Sequence, residues 1–174
     1  MQDILEKARQ VRMVIFDVDG VLTDGSLFLG DDGQQYKCFN SKDGHGMRML
    51  QDSGIPIAIL TGRVSNVVKL RMEELGIKLV MQGHRAKLPA FKELLEQTGY
   101  QPEELAYVGD DVVDLPVMTR VGLAIAVADG HDLVRRHAHW VTSNGGGRGA
   151  AREVCELLME AHGKLDEQLG IYLK

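Results

Sequence analysis

The chain has 174 residues, of which 44% are hydrophobic and 26% are charged, close to the average of a globular protein. Its formal net charge of −5 argues against the basic surplus of a nucleic-acid-binding domain. No apolar run approaches the roughly 20 residues of a membrane-spanning helix, and the N-terminus lacks the apolar core of a signal peptide. We therefore expect one domain over residues 1–174, with neither a membrane nor a nucleic-acid partner.

Short apolar runs alternate with longer helical patterns along the chain. The runs predict six strands, at Val11–Phe16, Pro56–Leu60, Lys78–Met81, Leu105–Val108, Gly122–Val127 and Trp140–Thr142. The patterns between and after them predict six helices, at Gly46–Ser53, Ser65–Leu75, Lys87–Thr98, Leu115–Arg120, Asp132–Arg136 and Ala150–Ala161. This alternation is typical of βαβ units, so we expect an α/β fold with a Rossmann-like parallel sheet and helices on both faces. The first ten residues predict only an amphipathic turn or two.

One segment breaks the alternation, at about residues 25–40. Ser26–Leu29 and Gln34–Phe39 are short strand patterns, and the Asp32-Gly33 pair between them is typical of a hairpin turn. The segment is too short to form a cap domain. We therefore predict a β-hairpin insertion between the first strand and the first predicted helix.

The two cysteines, Cys38 and Cys155, lie far apart and form no CxxC motif. This usage argues against a disulfide framework and fits a reducing cytoplasm. The tail, about residues 163–174, contains apolar residues that a fraying terminus would not need. We expect it to pack on part of the protein, and a neighbouring subunit is one candidate.

Polar side chains follow several predicted strands at the points where these strands end. In open α/β sheets, ligands bind at the carboxyl ends of the strands. Four loops supply candidates there: Asp17, Asp19, Gly20, Thr23 and Asp24 in the first, Thr61, Gly62 and Arg63 in the second, Lys87 in the third, and Gly109, Asp110, Asp111 and Asp114 in the fourth.

These residue types together indicate phosphoryl chemistry. Clustered carboxylates repel one another and need a cation, and ligands that are all oxygen favour Mg²⁺. The ion, Lys87 and the Thr61 hydroxyl can neutralise a phosphoryl group. A carboxylate can attack phosphorus, and a second carboxyl two residues along the chain can serve as general acid and then as general base.

The same loops resemble the four signatures of the haloacid dehalogenase superfamily of phosphatases, in order. The matching segments are Asp17–Thr23 (DVDGVLT), Ile59–Arg63 (ILTGR), Lys87 and Gly109–Asp114 (GDDVVD).

The resemblance implies a role for each matching residue. Asp17 is the nucleophile, and Asp19 is the general acid and base, whose backbone carbonyl also binds Mg²⁺. Thr61 donates to the phosphoryl group, Lys87 stabilises the transferred charge, and Asp110 completes the metal site with Asp17. Two further carboxylates, Asp111 and Asp114, stay open: one is expected to bind a metal water and the other to orient Lys87. Asp111 equally fits a carboxylate that favours a helix N-terminus.

A capless, tetrameric subfamily of these phosphatases is similar over nearly the whole chain. The similarity lies in the hairpin, Asp43-Gly44-His45-Gly46, Gly83, Tyr107–Asp111 and Gly145–Ala150, although the subfamily usually has Tyr at the position of His45. It implies a homotetramer in which hairpins and tails shape neighbouring active sites. It also implies an eight-carbon substrate, 3-deoxy-D-manno-octulosonate 8-phosphate, from lipopolysaccharide precursor synthesis.

The candidates for binding this sugar acid are Thr61, Gly62, Arg63, Lys87, Asp43, His45 and Arg148. An arginine at position 63 suits a carboxylate or a phosphate, and nine-carbon relatives have an acidic residue there. Arg148, between glycines, suits capture of a carboxylate in its own or a neighbouring subunit. The alternatives are a solvated arginine at position 63, an ordinary loop around Arg148, and a helix cap at Asp43.

Four other functions compete with this interpretation. Within the same chemistry, the substrate could be a nine-carbon sialic-acid-type 9-phosphate. A non-catalytic regulatory homologue would normally have lost Asp17, Asp19 or Lys87. A signalling receiver domain would carry its acidic pair on the first strand and its phosphate acceptor on a middle strand, which is not the order here. A nucleotide-binding domain would need a GxGxxG motif or a P-loop, and the chain has neither.

Overall fold

The computed structural model describes all of residues 1–174, which fold around one six-stranded sheet beside a two-stranded hairpin. The strands are β1 (Met13–Phe16), β2 (Phe28–Leu29), β3 (Gln35–Tyr36), β4 (Ile57–Leu60), β5 (Leu79–Met81), β6 (Leu105–Gly109), β7 (Leu123–Ala126) and β8 (Trp140–Val141). The α-helices are α1 (Gln2–Gln10), α2 (Ser41–Asp52), α3 (Asn66–Glu74), α4 (Lys87–Thr98), α5 (Leu115–Met118), α6 (Asp132–His137), α7 (Ala150–Ala161) and α8 (Leu165–Gly170).

The large sheet is entirely parallel, with the strand order β5-β4-β1-β6-β7-β8. From β1 the chain builds outward on one side through β4 and β5, and then crosses to the other side for β6 to β8. Phe16, at the end of β1, lies in register with Ile59 of β4 and Val108 of β6. The residues that follow these three strands therefore emerge at one edge, where the strand order reverses and a crevice forms.

Helices cover both faces of the sheet, as the sequence predicts. Val14 and Phe16 of β1 face a core shared with α1, α2, α3 and α7. Met13 and Ile15 face the opposite core, which α4, α5 and α6 complete. All four residues of β1 are buried, because successive side chains point to opposite faces and both faces are covered.

The structure corrects the predicted start of the first long helix. Helix α2 begins at Ser41 instead of Gly46, because the Asn40 side chain accepts hydrogen bonds from the Lys42 and Asp43 amides. The segment Asp43-Gly44-His45-Gly46 therefore lies inside the helix, and the prediction of a loop there was wrong. Its two glycines suggested a break, yet at position 46 a Cβ would meet Arg152 of α7 at 2.6 Å.

The predicted hairpin is confirmed, although its strands are shorter than expected. Phe28 pairs with Tyr36 and Leu29 with Gln35, and Gly33 closes the turn with a φ of 82°. The N-terminal segment forms the nine-residue helix α1 instead of a turn or two.

The C-terminal tail also becomes helical. Leu165 of α8 packs against the larger core, and a short 3₁₀ turn at Ile171–Leu173 follows. The Tyr172 ring stands edge-on to His45, with 5.4 Å between the ring centroids. The tail thus packs on its own chain, while Ile171, Tyr172 and Leu173 remain exposed.

None of the helices combines the length and the apolar character needed to span a bilayer.

Candidate active site

A cleft of about 810 Å³ opens at the carboxyl edge of the sheet, where the strand order reverses. The loops after β1, β4 and β6, the loop after β5 and the first residue of α4 all contribute to its wall. Seven of the predicted site residues line it together: Asp17, Asp19, Thr61, Gly62, Arg63, Lys87 and Asp110.

Lys87 lies at the centre of a buried ionic network. Its Nζ is 2.6 Å from Asp17 Oδ2 and 2.5 Å from Asp114 Oδ1, and it donates to the Tyr107 hydroxyl at 3.1 Å. Burial by itself would lower the pKa of Lys87, but Asp17 and Asp114 outweigh it and raise that pKa above its usual value. Lys87 therefore stays charged beside the Asp17 carboxylate.

Asp114 orients Lys87, which was one of the two roles left open for it. Its Oδ1 accepts from Lys87 and, at 2.6 Å, from the Tyr107 hydroxyl. Its Oδ2 accepts from the amides of Asp110 and Asp111 at 3.0 and 3.1 Å. Burial, with Asp114 nearby, raises the pKa of Tyr107 well above its usual value, so this hydroxyl remains a donor. With four donors and no exposure, Asp114 has no oxygen left for a metal ion.

Asp111 takes the helix-terminal role. Its carboxylate accepts from the Val112 amide at 2.7 Å and caps the 3₁₀ turn Val112–Asp114. It also lines the cleft, but it stands outside the buried network.

The carboxylate of Asp110, by contrast, has no hydrogen-bond donor. Burial raises its pKa to about 8, and the nearby charges of Asp114 and Asp17 contribute in the same direction. Burial likewise raises the pKa of Asp17 to about 6, although Lys87 opposes the shift. Carboxylates that are costly to ionise in this way need a cation beside them.

These residues fit a magnesium ion. One carboxylate oxygen from each of Asp17, Asp110 and Asp114 lies within 4.8 Å of the others. Because Asp114 is saturated, Asp17 and Asp110 are the two that can bind the ion. The backbone carbonyl of Asp19 accepts no hydrogen bond within the chain and is a third available oxygen. An all-oxygen set with few protein ligands is what Mg²⁺ prefers.

Glycines hold the two acidic loops together. Gly20 has a φ of 87°, and a Cβ at this position would collide with the Asp110 carboxylate. A Cβ on Gly146 would collide with the Gly20 carbonyl, and the Gly147 amide donates to Val21 at 2.9 Å. The glycine run before α7 thus supports the nucleophile loop by close backbone packing, in addition to the role predicted for Arg148 within it.

Two cationic residues at the site were not predicted. Lys37, just after β3, makes an ion pair with Asp19, and its side chain is only 2% exposed. Arg85 lines the cleft beside Arg63, and both guanidiniums lack an ion-pair partner. The position of Arg85, in the loop after β5 and two residues before Lys87, was a usable signal, whereas no local pattern could have indicated Lys37.

Three predicted substrate-binding residues lie outside the cleft of this chain. Asp43 is buried and accepts from the amides of Gly149 and Arg152, at 3.3 and 2.8 Å, so it caps α7 and not its own helix. His45 contacts Tyr172. Arg148 is exposed and forms an ion pair with Asp24 at 3.2 Å.

Comparison with known proteins agrees with this geometry. Residues 79–153 match the family described as haloacid dehalogenase-like hydrolase. The chain is 51% identical to the 3-deoxy-D-manno-octulosonate 8-phosphate phosphatase of Escherichia coli K12, over 97% of this chain and 89% of that protein.

Two solved structures are also similar. A probable YrbI family phosphatase from Pseudomonas syringae superposes with a TM-score of 0.98 at 45% identity, covering 100% of this chain and 99% of that one. A 3-deoxy-D-manno-octulosonate 8-phosphate phosphatase from Moraxella catarrhalis, solved with magnesium, phosphate and KDO, superposes with a TM-score of 0.96 at 38% identity, covering 99% of both chains.

Proposed function

Since the chain belongs to the family of 3-deoxy-D-manno-octulosonate 8-phosphate phosphatases among the haloacid dehalogenase-like hydrolases, we propose that it hydrolyses this sugar phosphate with Mg²⁺ through an aspartyl-phosphate. The observation that carries the proposal is the buried contact of Lys87 with Asp17 at 2.6 Å, beside the second carboxyl of Asp19 in an open cleft. This arrangement brings together a nucleophile in Asp17, a fixed positive charge on Lys87 and a group for proton transfer in Asp19.

The reaction divides into two transfers. In the first, an Asp17 oxygen attacks phosphorus, the bond to the sugar oxygen breaks, and Asp19 gives that oxygen a proton. In the second, Asp19 takes a proton from water, the water oxygen attacks phosphorus, and Asp17 is released with inorganic phosphate. When bound by Asp17, Asp110 and the Asp19 carbonyl, Mg²⁺ supplies positive charge that neutralises the phosphoryl oxygens. Thr61 and Lys87 bind and orient the same oxygens.

The sugar acid would lie toward the β4–β5 side of the cleft. Arg63 follows β4 and Arg85 follows β5, whereas the carboxylates come from the loops after β1 and β6. The two unpaired guanidiniums suit the substrate carboxylate, and Gly62 leaves room beside Thr61. Arg148, which is exposed, and His45 would reach a sugar only through the arrangement of a neighbouring subunit, whereas Asp43 is buried as the cap of α7. A nine-carbon sialic-acid-type 9-phosphate is the competing substrate.

We further propose that residues 1–174 act as one domain within a homotetramer, in the cytoplasm and in lipopolysaccharide precursor synthesis. Both helical layers pack on the same sheet. The free thiols of Cys38 and Cys155 suit a reducing compartment. Exposed apolar side chains on the hairpin and the tail suit subunit contacts.

The deciding experiment is phosphate release from a small panel, with Mg²⁺ and with EDTA. The panel holds the eight-carbon sugar 8-phosphate, a nine-carbon sialic acid 9-phosphate and an aryl phosphate. We expect fast, metal-dependent release from the eight-carbon compound and no turnover by Asp17→Asn. Faster release from the nine-carbon compound would contradict the proposed eight-carbon substrate. Folded protein that releases phosphate from none of them with Mg²⁺ present would favour a regulatory homologue.

A further inference from the structure

Lys37 is a buried lysine whose ammonium lies next to the proposed acid–base residue. Its side chain is 2% exposed, and the only polar group that its Nζ contacts is Asp19 Oδ1. Lysine is almost never buried without a partner, because an unpaired ammonium loses its hydration. The burial of Lys37 is therefore tied to the Asp19 carboxylate.

Asp19 depends on this contact in turn. The Asp19 carboxylate makes no other hydrogen bond or ion pair. Asp19 lies in the same loop after β1 as Asp17. The side chain is 22% exposed and lines the cleft, whereas Lys37 does not line it. Lys37 thus contacts Asp19 from outside the cleft lining, and only the Asp19 side chain faces the space that a substrate could enter.

We propose that Lys37 is a positioning residue that holds the Asp19 carboxyl group toward the leaving oxygen, so that the hairpin contributes directly to the chemistry. This inference rests on the proposed function. Proton transfer requires the acid to be within hydrogen-bond reach of the oxygen that it protonates, and an untethered side chain spends less time there. Because Lys37 directly follows β3, its contact with Asp19 connects the hairpin to the acid.

The test uses phosphate esters that lack a carboxylate and differ strongly in the basicity of the leaving group. A good leaving group, as in para-nitrophenyl phosphate, needs little protonation, whereas an alkyl phosphate needs much. We expect Lys37→Met to lower kcat/KM for the alkyl ester about 10-fold or more, and for the para-nitrophenyl ester by less than about threefold. The value of kcat/KM reports the transfer to Asp17, so the later hydrolysis step does not mask the difference.

A double-mutant cycle separates positioning from a general structural effect. Lys37→Met is combined with Asp19→Asn, and phosphoryl transfer is followed under single-turnover conditions with enzyme in excess. If Lys37 acts through Asp19, its replacement has no further effect in the Asp19→Asn background. Lys42→Met is the matched control, since Lys42 is an exposed lysine that makes no side-chain contact with the site. If Lys37→Met does not fold by circular dichroism, Lys37→Gln takes its place.

Three results would overturn the inference: the same kinetics for Lys37→Met and Lys42→Met, an equal loss for good and poor leaving groups, or an undiminished loss in the Asp19→Asn background. A wild-type protein that releases phosphate from no ester would overturn the proposed function itself, and with it the role of Lys37.

Discussion

At the scale of single residues, Gly20 leaves no room for a side chain beside the Asp110 carboxylate. Gly20 combines a left-handed φ of 87° with a position where a Cβ would collide with Asp110. We expect Gly20→Ala to be destabilised by about 1–3 kcal/mol from backbone strain and to lose Mg²⁺-dependent activity because Asp110 is displaced. Urea unfolding and a Mg²⁺ titration of activity would measure the two effects.

Gly33 is the matched control for this prediction. Its φ of 82° is nearly the same, but nothing lies within 4 Å of its Cβ position. Gly33→Ala should therefore carry only the backbone cost, about 1 kcal/mol, with Mg²⁺ activation unchanged. Equal Mg²⁺ activation of the two variants would show that the Gly20–Asp110 contact has no part in metal binding.

Asp110 gives a prediction about metal removal and pH. Burial raises the pKa of Asp110 to about 8, above the pKa of an aspartate in the unfolded chain. The free energy that Asp110 contributes to folding is therefore fully present below the unfolded-state pKa and is lost as the pH rises through about 8. Mg²⁺ should offset that loss, and we expect the metal to raise Tm more at about pH 9 than at about pH 5.

Asp110→Asn should abolish most of this gain and should raise the Tm of the metal-free protein at alkaline pH. Asp111→Asn is the control, because Asp111 lies outside the buried network and its loss should leave the Mg²⁺ effect largely intact. Thermal unfolding with Mg²⁺ and with EDTA tests both variants. If Asp111→Asn lost the Mg²⁺ effect on Tm and Asp110→Asn kept it, Asp111 and not Asp110 would be the metal ligand.

At the scale of elements, Asp43 of α2 holds the start of α7. Its carboxylate accepts hydrogen bonds from the Gly149 and Arg152 amides. Amides at the start of a helix have no acceptor within that helix, so Asp43 provides one for α7. We expect Asp43→Ala to cost about 1–3 kcal/mol of unfolding free energy, because two partly buried amide donors lose their acceptor. KM for the sugar phosphate should change little.

Asp52 at the other end of α2 is the control, since it is exposed and makes no side-chain hydrogen bond. Asp52→Ala should unfold at nearly the wild-type urea concentration. If Asp43→Ala instead kept its stability and raised KM, Asp43 would be a substrate ligand and not a cap.

The sequence predicted elements and strand ends better than it predicted contacts between distant segments. The order of strands and helices, and the loops that bring Asp17, Thr61 and Lys87 to one edge, follow from local periodicity and from the parallel sheet. The start of α2 was misplaced because glycines that allow close helix packing look like breaks in a sequence. Contacts such as Lys37 with Asp19 depend on where the hairpin folds back, which no local pattern specifies.

At the scale of the whole molecule, exposed apolar side chains cluster on two segments, the hairpin and the C-terminal tail. The hairpin exposes Leu27, Phe28, Leu29 and Tyr36, and the tail exposes Ile171, Tyr172 and Leu173. Monomers rarely leave such groups together in water, and those on the hairpin adjoin the cleft through Leu27. Subunit contacts through these residues would therefore also affect the entrance of the active site.

We expect wild-type protein to run as a homotetramer in analytical ultracentrifugation. Replacing Phe28 and Tyr36 with Ser should yield smaller particles, because it removes apolar area from both strands of the hairpin. The buried network around Lys87 lies at the carboxyl edge of the large sheet, apart from the replaced hairpin residues, and would remain. Hydrolysis of an aryl phosphate should therefore persist, while KM for the sugar phosphate rises. Leu70→Ser, on the exposed face of α3, is the control and should leave assembly unchanged. A wild-type monomer with full activity on the sugar phosphate would show instead that one chain completes the site by itself.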